Sequence, residues 1–188
     1  MKNDKSKPPL VGKNLPLVTV LCNEPMDTGS FILDSNQESK LSKTATNFSA
    51  SEAKKIKYLS TQDVLISVNN PREELFPLSI DRNSERVLTV TFDDVSCNCI
   101  LSGQELRVIE GEVAKQIVDF AYKFRRSNFI IHCQAGVSRS AAIAMYLHII
   151  YGHTLKEDFW ATSRPNPYVL GKLMLVHSYM KHLGHIAQ

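Results

Sequence analysis

The residues best equipped for chemistry lie together in HCQAGVSRS, residues 132 to 140. A thiol, Cys133, is followed six positions later by a guanidinium, Arg139, with Ser140 directly after it. A cysteine thiolate is an intrinsically strong nucleophile. A guanidinium is planar, permanently charged and able to hold two oxygens of an oxyanion at once, which an ammonium cannot do. Together they suit attack on an anionic tetrahedral centre such as a phosphate ester. The residues between them, Gln134, Ala135, Gly136, Val137 and Ser138, include no charged or aromatic side chain and let a backbone turn tightly around such an anion.

This chemistry needs elements on both sides to hold it. Before the cysteine, FIIH (129 to 132) reads as a short buried strand. After the arginine, AAIAMYLHIIYG is apolar on nearly all sides and closed by Gly152, as a central buried helix would be. A loop from strand end to helix N-terminus can turn the amides of Gln134 through Arg139 inward, and the helix dipole adds positive potential. The same field is expected to hold Cys133 well below the ~8.5 of free cysteine, with His132 and Arg139 acting in the same direction. Ser140 is placed to donate a hydrogen bond to the sulfur and ease its departure. A buried cysteine in an ordinary strand-to-helix turn accounts for neither Arg139 nor Ser140.

Further along the chain, Ser49 and Glu52 form a capping-box pattern opening a short helix, and VLISV (64 to 68) reads as a buried strand. VLTVTF (87 to 92) is a second strand that runs into Asp93 and Asp94. Ser102 and Glu105 match a capping box for a long amphipathic helix carrying Leu106, Ile109, Val113, Ile117, Phe120 and Phe124. Thr154 and Glu157 match another, RPNP breaks it, and a last helix begins near Pro167 with Val169, Leu173, Val176, Met180 and Leu183 inward. Strands alternating with helices predict a single α/β domain, with a largely parallel sheet of four to five strands flanked by helices. Residues 1–46 read as an extension whose only apolar run, LPLVTVLC (15 to 22), suits an edge strand, and 47–188 read as the domain.

Composition narrows the classes. With 188 residues, 43% hydrophobic and 22% charged, one core is expected, and a net charge of +3 is too small to imply a nucleic-acid or membrane partner. The start lacks a signal peptide's apolar core, so an intracellular, cytoplasmic monomer is expected. The four cysteines, Cys22, Cys97, Cys99 and Cys133, lack zinc-ligand spacing and suit reduced thiols, and the histidines at 148, 153, 177, 182 and 185 do not cluster as ligands. Neither a metal nor another cofactor is expected. Cys22, Cys97 or Cys99 is eligible as a redox partner that protects Cys133.

HCQAGVSRS resembles the signature loop H-C-x5-R-S/T of protein tyrosine and dual-specificity phosphatases, at every fixed position. The resemblance extends over roughly residues 47 to 183, and RPNPYVLGKL is similar to a stretch that recurs in small dual-specificity-like members. It implies a phosphatase-type strand-loop-helix site acting on phosphotyrosine, and by a shallow pocket on phosphoserine and phosphothreonine. Cys133 would be the nucleophile of a phosphocysteine intermediate and Arg139 the phosphate clamp. It also implies an aspartate that protonates the leaving oxygen. The family pattern apolar-x-apolar-x-Asp fits Val90, Phe92 and Asp94, so Asp94 is chosen, with Asp93 as the alternative. Uncharged Gln134, Ala135 and Val137, where lipid-directed relatives tend to carry lysines, favour a phosphorylated protein substrate. The loop alone also admits RNA 5′ ends, nucleotides, sugars or lipids as the phosphate's carrier, or phosphate binding without turnover. Arg164 and Asn166 fit a helix boundary or the pocket rim.

Overall fold

The computed structural model describes residues 42–186. In chain order the elements are β1 (Thr44–Phe48), α1 (Ala50–Ala53), β2 (Asp63–Asn69), β3 (Val87–Thr91), β4 (Cys99–Leu101), β5 (Gln104–Leu106) and α2 (Gly111–Lys123). They continue with β6 (Asn128–His132), α3 (Arg139–Tyr151), β7 (Thr154–Leu155), α4 (Phe159–Thr162) and α5 (Pro167–His182).

Five strands form one sheet in the order β3-β2-β6-β1-β7, and every pairing is parallel. Sheets of this kind are covered on both faces, so their inner strands are continuous apolar runs. Val64 to Asn69 of β2 are accordingly all buried, and Phe129 and Ile131 of β6 are inaccessible to solvent. Helix α3 is buried from Arg139 to Leu147 and packs on β1 and β6, α2 packs on β3, and α5 bridges α2 and α3. The α/β domain with a five-stranded parallel sheet is the architecture the sequence predicts, and the Ser49–Glu52 capping box forms as read.

Three expectations need correction. The domain does not start at residue 47: β1 begins at Thr44 and pairs with β6 and β7 inside the sheet. Its buried residues are Ala45 and Asn47, too small and polar to announce a strand. Ser102 caps no helix, because Ser102 (φ 50°) and Gly103 (φ 78°) make the two-residue turn of the β4–β5 hairpin, so Leu106 and Ile109 precede the helix that starts at Gly111. Thr154 lies in β7, and Asp158 occupies the N-cap of the one-turn α4. The strand expected over residues 15 to 22, and Cys22 with it, lie outside the described residues.

Candidate active site

The carboxyl ends of β1, β2, β3 and β6 lie side by side, the edge at which open parallel α/β sheets bind ligands. Cys133 follows directly on β6, and the loop to α3 is fixed by what its carbonyls do. Gln134 O accepts from Ala50 N (3.1 Å), Gly136 O from Asn47 Nδ2 (2.6 Å), Val137 O from Arg164 N (2.8 Å) and Ser138 O from Asn166 N (3.3 Å). The carbonyls are thus tied outward to surrounding segments, while the amides of Gln134 to Arg139 have no acceptor among the described residues. A run of unpaired amides at the start of a 13-residue helix can hold an anion.

Gly136 holds this shape at close quarters. It sits at φ 75°, and a Cβ there would come within 2.4 Å of Ser49 N and 2.6 Å of the Phe48 carbonyl carbon. Only glycine fits between the loop and the end of β1. Asn47, one residue from that contact, spans Gly136 O and Ser163 Oγ (3.0 Å) from a buried position.

Cys133 is buried, with its Sγ 3.2 Å from the Oγ of the fully buried Ser140. Arg139 is also buried, and its Nη1 donates to Phe92 O (2.7 Å) and Asn69 O (3.5 Å), while its Nε has no partner. The ends of β2 and β3 thereby hold the guanidinium in place.

The two aspartates separate cleanly. Asp93 is buried, paired with Arg72 Nη2 at 2.5 Å, and accepts from Arg107 N at 2.9 Å. Asp94 is exposed, and its Oδ1 accepts from Ser138 Oγ (2.7 Å) and Asn166 Nδ2 (2.8 Å). Asp94 therefore touches the cysteine loop, whereas Asp93 anchors its own segment. Asn166 marks a helix boundary, because its Oδ1 caps α5 by accepting from Tyr168 N and Val169 N.

His132 does not act as expected. Burial, reinforced by the positive charges of Arg82 and Arg139, lowers it to about 4. It is neutral at pH 7 and adds no positive charge beside Cys133. Neither ring nitrogen has a hydrogen-bond partner, and the ring packs 5.6 Å from that of Phe76. Arg82 steadies this side by donating to Phe76 O and Thr89 Oγ1. Cys97 and Cys99 carry free thiols in the segment after Asp94.

Asn47, Asn69 and Arg72 are supporting residues the sequence did not disclose. Each acts across a gap of 21 to 116 residues in the chain or through its backbone, and a buried polar residue at a strand end is visible only once the strand is known.

No protein-family model matches the chain, and no curated protein matches it. Among solved structures it is similar to a variant of human DUSP28, at 22% identity over 72% of this chain and 90% of that one, with a TM-score of 0.42. It is also similar to human tyrosine phosphatase-like serine/threonine/tyrosine-interacting protein, at 19% identity over 72% and 92%, with a TM-score of 0.44. A mouse "putative dual specificity phosphatase" complexed with zinc tungstate matches at 18% identity over 68% and 77%, with a TM-score of 0.35.

Proposed function

We propose that this chain is a cysteine-dependent phosphatase of phosphorylated protein side chains. The observation that supports the reading is the loop around Cys133, whose carbonyls are bonded to surrounding segments and whose amides from Gln134 to Arg139 are left free to receive an anion. In the proposed reaction the Cys133 thiolate attacks phosphorus and the ester oxygen leaves with a proton from Asp94. The amides of Gln134 to Arg139 and the Arg139 guanidinium hold the equatorial oxygens as charge shifts between them. Water then attacks the phosphocysteine, Asp94 takes its proton, and sulfur departs as thiolate toward the Ser140 hydroxyl, releasing phosphate. Asp94 is preferred to Asp93 because it is exposed at the loop, whereas Asp93 is sequestered by Arg72.

Hydrolysis of para-nitrophenyl phosphate in EDTA across pH tests the reading. Wild type should turn over, Cys133→Ser should lose on the order of 10⁴-fold or more, and Asp94→Asn should lose about 10²–10³-fold with a flattened basic limb. Asp93→Asn should keep that limb. Reduced wild-type protein that binds vanadate without turning over substrate would instead make this a phosphate-binding module. Faster turnover of nucleotide, RNA 5′-end or inositol phosphates than of phosphopeptides would move the substrate away from protein.

A further inference from the structure

Beside Cys133 lies a narrow cleft of about 30 Å³ lined by Asn69, Glu73, Glu74, Phe76 and His132 together with the cysteine itself. That space takes one or two waters or the tip of one side chain, not a whole ligand. Its mouth and its depth differ in character. Glu73 and Glu74 are exposed, and neither carboxylate is ion-paired or hydrogen-bonded among the described residues. The neighbouring cation, Arg72, is committed to Asp93 and to Glu105 O (2.6 Å), so it does not neutralise them. Deeper in, His132 is 1% exposed with both ring nitrogens unpartnered.

Two free carboxylates beside an anion cradle are a liability for a dianionic substrate, since at a separation within the Debye length they repel it. A substrate that brings its own cation removes the conflict and fills the cleft. We infer that Glu73 and Glu74 form a subsite for an arginine or lysine side chain next to the phosphorylated residue, so that the protein selects phosphopeptides with a basic flank. A neutral imidazole at the base of the cleft fits such an occupant, because it accepts a hydrogen bond from a guanidinium or ammonium without opposing its charge. The inference names the substrate class of the proposed phosphatase and rests on that reading.

The test separates the two. Fluorescence anisotropy with the Cys133→Ser protein reads binding of phosphotyrosine peptides that carry Arg, Ala or Glu at each flanking position, and wild-type kcat/KM on the same peptides provides a second measurement. Hydrolysis of para-nitrophenyl phosphate, which has no flank, reports the phosphatase reading alone. The expected result is about fivefold preference for Arg over Ala at one or more positions, falling in high salt. In Glu73→Lys/Glu74→Lys protein the order should invert to favour Glu, an outcome a merely structural role would not produce. Equal binding of the three peptides, or a wild-type preference for Glu, would overturn the subsite whether or not para-nitrophenyl phosphate is turned over.

Discussion

The loop of residues 132–140 and the segment of residues 93–110 face each other across the same site but are secured by opposite means. The first is tied through its backbone: four successive or near-successive carbonyls bond to α1, β1 and the turn before α5, and Gly136 lies against the end of β1. The second is tied through side chains. Asp93 pairs with Arg72, Arg72 also holds Glu105 O, and Asp94 reaches Ser138 and Asn166. Its hairpin leaves Ile100 77% and Leu101 63% exposed. An anion site needs fixed dipoles, whereas a proton carrier needs a carboxyl that solvent and substrate reach.

The largest effect should come from forcing the backbone-tied side. Gly136→Ala adds a Cβ into backbone atoms at φ 75°, with no flexible side chain in the way to yield. Urea denaturation should show a loss of about 3–4 kcal/mol, and inorganic phosphate should cease to compete as an inhibitor because the amides no longer converge. A variant as stable as wild type with phosphate binding intact would show that the loop is not held by its contact with β1.

The same contrast explains what could be read from the sequence. Cys133, Gly136, Arg139 and Ser140 fall within one short stretch, and the strand and helix around them are apolar enough to be recognised by pattern alone. The pair Asp93 and Asp94 was reachable because it follows a strand with clear alternation, and the choice of Asp94 came from the family resemblance. The hairpin was not, because Ser102 and Glu105 satisfy a helix-capping pattern equally well, and Gly103 at positive φ decides for the turn. β1 was hidden for a different reason: its place between β6 and β7 is earned by partners more than 80 residues away, not by its own hydrophobicity. His132 misled because its chemistry depends on burial, which the local sequence does not state.

A smaller effect should follow from loosening the side-chain-tied segment. Arg72→Met leaves the buried Asp93 carboxylate without its cation and frees Glu105 O. Arg72 is itself 39% exposed, so water screens part of the pair and the expected loss is about 1–2 kcal/mol. Because Asp94 adjoins Asp93, kcat for para-nitrophenyl phosphate should fall severalfold, while competition by inorganic phosphate, a property of the other side, should hold within about twofold. Parallel losses in both measurements would mean that the two regions are not independently secured.

The smallest effect isolates backbone strain from crowding. Gly103 and Gly136 share nearly the same φ, 78° and 75°, but a Cβ at Gly103 meets nothing within 4 Å. Gly103→Ala should therefore cost only the left-handed conformation itself, about 1 kcal/mol by urea denaturation, with turnover within about twofold of wild type. The difference between the two glycine variants then measures what the close approach of the cysteine loop to β1 contributes beyond φ. Equal losses would assign the Gly136 effect to conformation alone and remove β1 from the account of how the cradle is held.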